Sequence, residues 1–170
     1  MAKIIIVDHK DNIIGSKERS KVTYEDIFRV TGLWITNSKG EILLAQRAHT
    51  KSHSPGCFAT AVSRTVEEGE SYEENIYKEA EEELGIKDAK FTEGPHTRSE
   101  GPWQHFTQWY FLITDKKAED FIIDKKEVER VKWFKEEEIL KFCDEHPEQC
   151  IRSLRKRVIS FSKNDNKIKL

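Results

Sequence analysis

Glu70, Glu79, Glu82 and Glu83 are the side chains whose types and spacing could do chemistry in this chain. On a helix, Glu79, Glu82 and Glu83 would stand at i, i+3 and i+4, so their carboxylates would converge on one patch. Like charges at that spacing cost roughly 0.2–0.5 kcal/mol per pair. A divalent cation would turn that cost into a binding site, because hard cations take oxygen ligands. The competing reading is a solvated acidic face. Two features weigh against it. The charges lie toward the C-terminal end of their segment, where the helix dipole favours cations. They also follow a tight glycine turn, Glu68-Gly69-Glu70, at a fixed offset.

The element that must position these carboxylates is legible at both ends. Ser71 is a good N-cap, and Glu74, three residues on, completes a capping box. Gly85 stands where a left-handed residue closes a helix. Ile76, Tyr77, Ala80 and Leu84 fall at helical spacing and predict a buried stripe. Around this helix, Lys3 to Val7 and Asn12 to Gly15 read as a hairpin over an Asp/Asn-rich turn. Further strands are expected over Phe28 to Asn37, Glu41 to Arg47, Cys57 to Ser63, Lys90 to Glu93, His105 to Thr114 and Arg130 to Phe134. Gly94 to Trp103 reads as a loop, Lys135 to Asp144 as a helix, and Pro147 to about Phe161 as a terminal helix with proline in its first turn. Residues 1–161 read as a single domain, and 162–170 as a polar tail. Strands alternating with a few helices predict an α/β fold, a mixed β-sheet flanked by helices behind an N-terminal β-hairpin.

The run Glu70-x7-Lys78-Glu79-Ala80-x-Glu82-Glu83-x-Gly85-Ile86 resembles the Nudix box, whose usual form is Gly-x5-Glu-x7-Arg-Glu-U-x-Glu-Glu-x-Gly-U, with U aliphatic. The likeness spans roughly residues 3 to 140. It includes Asp8 to Asn12, Gly32 to Ile35, Gly40 to Arg47 and Ser54-Pro55-Gly56, similar to the Nudix branch that contains isopentenyl-diphosphate isomerase. Glu127 to Phe134 resembles the strand that closes many Nudix domains. The resemblance implies a Nudix α/β/α sandwich and a metal-dependent hydrolase of a diphosphate linkage, using Mg²⁺ or Mn²⁺ on a nucleoside diphosphate derivative.

The resemblance also implies roles. Glu79 and Glu83 are the expected metal ligands, with Glu82 a third ligand or the water-activating base, and Glu70 bracing the loop or the outer shell. Arg47 and Lys51 are spaced like the two cations that hold diphosphate in the isomerase branch; ordinary surface charges are the alternative. A catalytic base outside the box could be Glu127, Glu129 or Glu100, with surface solvation an equal explanation of each. Trp103, His105 and Trp109 could stack on a flat leaving group, although alternation would send some of them to the core. His49 and His53 read as loop histidines.

Two positions depart from the pattern. The box normally opens on glycine, often a pair, where this chain has Ser63 and Arg64. Arginine does not adopt glycine torsions cheaply. Lys78 replaces the usual arginine, which orients the glutamates with a planar fork that lysine lacks. These departures support a rival reading, a nucleotide-binding or sensor domain with weakened hydrolysis. The isomerase is a more distant rival, because its catalytic cysteine falls at Ser63 and its neighbouring histidine at Thr65.

Composition sets the frame. The chain has 170 residues, 35% of them charged, with a formal net charge of −2, so no global field draws it to nucleic acid or acidic membranes. The basic run Arg152, Arg155, Lys156 and Arg157 is explained by the helix dipole. Cys57, Cys143 and Cys150 are odd in number and form no CxxC, which argues for reduced thiols and a cytoplasmic setting. The apolar run at the N-terminus is too short for a signal peptide or membrane span. The expected partner is a small diphosphate substrate, and strand-rich edges are compatible with a homodimer.

Overall fold

The computed structural model describes residues 2–99 and 101–162. Met1, Glu100 and the tail from residue 163 onward lie outside the described residues. The fold is of the α/β class, a mixed sheet flanked by helices, and the chain divides into two compact units.

The first unit holds residues 1–34 and 62–112. Strands β1 (Lys3–Val7) and β2 (Ile13–Glu18) form the expected hairpin, with a register shift between Ile6 and Val7. Its turn is organised by Asp8, whose Oδ1 accepts from the backbone N–H of Lys10 at 2.8 Å and of Asn12 at 2.9 Å. Strand β3 begins in this unit (Ile27–Thr36 overall) and pairs with β1 at Ile6↔Phe28. It also pairs with a short strand, Val62–Thr65, through Thr31↔Arg64 and Gly32↔Ser63. Ile5, Val7, Ile27 and Val66 pack into one apolar cluster, with Tyr72 and Phe106 against it.

The second unit holds residues 35–61 and 113–170. Strand β4 (Ile42–Arg47) is its centre, because the run Ile42-Leu43-Leu44-Ala45 is buried on both faces. β4 pairs on one side with β5 (Phe58–Thr60). This makes the Val62–Thr65 strand β6, and in chain order α1 (Tyr72–Leu84), β7 (Thr92–Ser99) and β8 (Gln104–Ile113) follow it. On its other side β4 pairs with β9 (Val128–Phe134), from Ile42↔Phe134 to Arg47↔Val128. Helices α2 (Glu136–Glu145) and α3 (Leu154–Ser162) bury Ile139, Leu154, Val158 and Phe161.

Three expectations are corrected. The stretch expected as one strand from Cys57 to Ser63 is two, divided at Ala61, because β5 finds its partner in β4 and β6 in β3. The expected loop from Gly94 to Trp103 is mostly strand β7, paired antiparallel with β8. Pro95 is tolerated there because the register shifts between Glu93 and His96, where no ladder N–H is needed. The terminal helix does not start at Pro147. Residues Pro147–Gln149 make a separate 3₁₀ turn, and Ile151 then donates its N–H to the Phe58 carbonyl at 3.0 Å before α3 begins. Arg155, Lys156 and Arg157 therefore stand in the first turn of α3 and not at the late end where the dipole favours cations. Among the described residues no helix is long and apolar enough to cross a membrane.

Gly32 on β3 lies under the Trp109 ring, and a Cβ there would overlap the indole. Trp109 is itself fixed, its Nε1 donating to Thr97 Oγ1 at 3.2 Å. Gly32→Ala is therefore expected to destabilise by about 1–3 kcal/mol through overpacking. That corresponds to a fall of roughly 2–12 °C in Tm at this chain length. Differential scanning calorimetry checks it, and an unchanged Tm would mean the indole is free to shift.

Candidate active site

Helix α1 presents the acidic residues, and its ends are built as the sequence demands. Ser71 Oγ accepts from Glu74 N–H at 3.1 Å, and Glu74 Oε2 accepts from Ser71 N–H at 2.8 Å. At the far end Gly85 takes a φ of +66°, and its N–H and that of Ile86 close on the carbonyls of Glu81 and Ala80. Ile76, Ala80 and Leu84 are fully buried, so the face that carries Glu79 and Glu83 is turned inward with them. Both carboxylates are nearly inaccessible, at 7% exposure. Glu82 stands at the other edge of the helix and is exposed. The expected patch of three carboxylates is thus a buried pair, and the reason is angular: only the i, i+4 members share the buried stripe.

That pair is closed by Arg64. Its Nε donates to Glu83 Oε1 in a very short contact and lies 3.4 Å from Glu79 Oε2. Arg64 sits within β6, and the non-glycine residues with positive φ among those described are Asp11 and Ser54. Arginine at the position where the box has glycine therefore carries no backbone strain. Burial pushes the Glu79 carboxyl up, Arg64 and Lys78 pull it back, and the charge on Glu82 adds to the upward push. Among the described residues no three His, Cys, Asp or Glu side chains are arranged to hold a metal ion.

Glu70 belongs to the turn in front of the helix. Gly69, at φ +88°, allows Glu70 N–H to reach the Glu67 carbonyl at 3.1 Å. The Glu70 carboxylate then accepts from Glu67 N–H at 3.1 Å, from Asn75 Nδ2 at 2.8 Å and from Lys78 Nζ. Burial opposes its ionisation, but these donors outweigh it and hold the carboxyl below the usual range. Lys78 also lies 3.2 Å from Glu67 Oε2 and 3.5 Å from Glu79 Oε1. Burial works against its charge, yet Glu70 and Glu67 raise its ammonium well above the ordinary lysine range.

Sequence reasoning missed Asn75. It is fully buried, accepts from Thr31 Oγ1 at 2.5 Å, and donates to the Thr65 carbonyl at 3.3 Å as well as to Glu70. It therefore ties α1, β3, β6 and the glycine turn together. The available signal was a polar side chain one turn before Glu79, on the same buried stripe. Arg64 had no such signal, because its partners are 15 and 19 residues away.

Trp103, in the same unit, is 42% exposed and tilts against Tyr24 at 4.5 Å between ring centres. Trp109 is core, and His105 stacks on Phe28. In the second unit Lys51 Nζ pairs with Glu127 Oε2 at 2.5 Å, and Ala48 N–H donates to the Glu127 carbonyl at 3.0 Å. Arg47 Nε donates to the His53 carbonyl at 3.0 Å, which ties the 48–57 loop back to the end of β4. The His49 ring lies over Gly56 in that loop, and Lys125 Nζ donates to the Glu129 carbonyl at 2.7 Å. Cys57 is buried in this unit, its thiol against the Glu148 carbonyl at 3.3 Å.

Comparison with known proteins bears on this arrangement. The NUDIX domain family model matches residues 27–154. An uncharacterised Nudix hydrolase of Yersinia pestis is 29% identical over 150 residues, covering 88% of this chain and 81% of the relative. Another from Nostoc is 36% identical over 83 residues, about half of each chain. Among solved structures, DR0079 of Deinococcus radiodurans superposes with a TM-score of 0.79 at 23% identity, covering 93% of this chain and 98% of that one. A C. elegans Ap4A hydrolase gives 0.60 at 19% identity, covering 83% and 99%. At these identities the structural likenesses speak for the fold, and the family model for the rest: the chain belongs to the Nudix family, as a hydrolase acting on diphosphate bonds.

Proposed function

We propose that this chain is a metal-dependent pyrophosphohydrolase whose substrate is a nucleoside diphosphate derivative. The observation that carries the reading is the buried pair Glu79 and Glu83, gathered around the Arg64 guanidinium with Lys78 also beside Glu79. Carboxylate oxygens are the donors that Mg²⁺ and Mn²⁺ take, and a place that already accommodates a guanidinium suits a cation. Glu79 and Glu83 would hold the ion. When bound, it supplies neutralisation of diphosphate charge and activation of water.

The other roles are carried over from the family resemblance. Glu82, exposed at the edge of the helix, is the candidate base toward solvent, with a third-ligand role as the alternative. Lys78 locks Glu70, and through it the glycine turn, and faces Glu79. Glu127, already hydrogen-bonded to Lys51, is the candidate base outside the box. Arg47 and Lys51 are the candidate cations for substrate phosphates, and Trp103 offers an exposed ring for a base. We take residues 1–161 as one Nudix domain and the cytoplasm as its location.

The test is phosphate release from a panel of nucleotide sugars, dinucleotides such as Ap4A, and nucleoside triphosphates, with Mg²⁺ and with Mn²⁺, beside Glu83→Gln. Turnover that the variant loses is the expected result. Absence of metal-dependent turnover on every member of the panel would overturn the substrate class.

A further inference from the structure

The geometry points to Arg64 as a resident counter-cation of the acidic pair, one that has to leave Glu79 and Glu83 when a divalent ion binds. The inference rests on the reading that these two glutamates hold the metal. It concerns a residue at which this chain departs from its family's pattern.

Three observations carry it. Arg64 Nε reaches both carboxylates, in very short contact with Glu83 and 3.4 Å from Glu79. The two glutamates are both buried and gathered around that group. The Arg64 backbone is an ordinary strand position, held by its Thr31 pairing, so the side chain alone accounts for the contact.

The chemistry then forces a choice. A guanidinium stays charged throughout the working pH range and offers donors but no acceptor. It cannot yield the carboxylates by losing a proton. A divalent ion on the same oxygens would stand within a few ångströms of it, at strong like-charge repulsion. The arginine must therefore move. Its side chain is 23% exposed on a long, flexible stem, so part of it already meets solvent. Metal binding is thus linked to a side-chain displacement, and the apparent affinity falls by the fraction of molecules in which Arg64 has already left. If that fraction is about one in ten, the apparent Kd is about tenfold weaker than the carboxylates alone would give. After the guanidinium leaves, substrate phosphate is the natural anion for it to meet, since its fork matches phosphate oxygens.

The experiment is a Mn²⁺ titration of the full chain without substrate, read by the electron paramagnetic resonance of free Mn²⁺. The rise in Tm at saturating Mn²⁺ is a second readout. Arg64→Ala and Arg64→Gln are compared with wild type and Glu83→Gln; the Arg64→Gln variant keeps a hydrogen-bond donor near Glu83 should the alanine variant fail to fold. The expected result is Mn²⁺ binding about tenfold tighter in the Arg64 variants, with a larger Mn²⁺-induced rise in Tm, and loss of binding in Glu83→Gln. Loss of binding in Glu83→Gln with equal or weaker binding in the Arg64 variants would overturn the role of Arg64 alone. Unchanged binding in Glu83→Gln would overturn the metal-site reading itself, and the displacement with it.

Discussion

Glu83→Gln is expected to lower diphosphate hydrolysis by about a thousandfold, while the protein stays folded. The size follows from what the substitution removes. Loss of one group that stabilises transition-state charge costs about 10²–10³ in turnover, and Glu83, as a proposed metal ligand, would also govern whether the cation is held at all. The fold should survive because glutamine has the same shape, and its carbonyl oxygen can still accept from Arg64. Arg64 keeps Glu79 at 3.4 Å, so no buried charge is left alone. Circular dichroism and a Tm within a few degrees of wild type would separate lost chemistry from lost structure. More than a tenth of wild-type turnover in this variant would remove Glu83 from the machinery.

Glu82→Gln belongs in the same experiment. A positioned general base contributes about 10²–10⁴, whereas a charge that only raises Glu79 from a distance changes the rate far less. Because Glu82 is exposed and Glu83 buried, the two variants distinguish a solvent-facing base from a ligand.

The candidate site was legible in the sequence wherever its logic is local. Ser71, Glu74 and Gly85 are caps read within a few residues of the helix they end, and Gly69 is a turn signal of the same kind. The spacing of Glu79 and Glu83 needs nothing beyond helical periodicity. What was missed depends on strand pairing and long-range contact. No local pattern says that Ala61 divides two strands with different partners, or that the polar stretch after Gly94 pairs along β8. Pro95 argued for a loop, and only the register shift beside it makes a strand possible. Arg64 was noticed for the glycine it replaces. Its meaning lies in a side-chain contact with a helix that starts eight residues later, and torsional arguments about glycine point elsewhere.

Asn75→Ala is expected to be the most damaging change that touches no proposed ligand, lowering stability by about 3 kcal/mol. The side chain is fully buried and makes three contacts: from Thr31 Oγ1, to the Thr65 carbonyl and to Glu70 Oε2. A buried donor or acceptor left unsatisfied costs about 1–3 kcal/mol. Alanine would strip one partner each from Thr31, Thr65 and Glu70. Thr31 keeps a 3.5 Å contact to the Arg64 carbonyl, and Glu70 keeps Lys78 and Glu67 N–H, so the loss stays below the sum. At about 2–4 °C per kcal/mol for a chain of this size, Tm should fall by roughly 6–12 °C. Activity should also fall at temperatures where the variant is still folded. The reason is geometric: Asn75 joins the helix that carries Glu79 and Glu83 to the strand that carries Arg64, and to the turn that Glu70 braces. A Tm drop with full activity below it would show that the carboxylate pair is positioned by the apolar stripe of α1 alone. A drop in both is the expected outcome, and it would make this buried amide a positioning residue for the site.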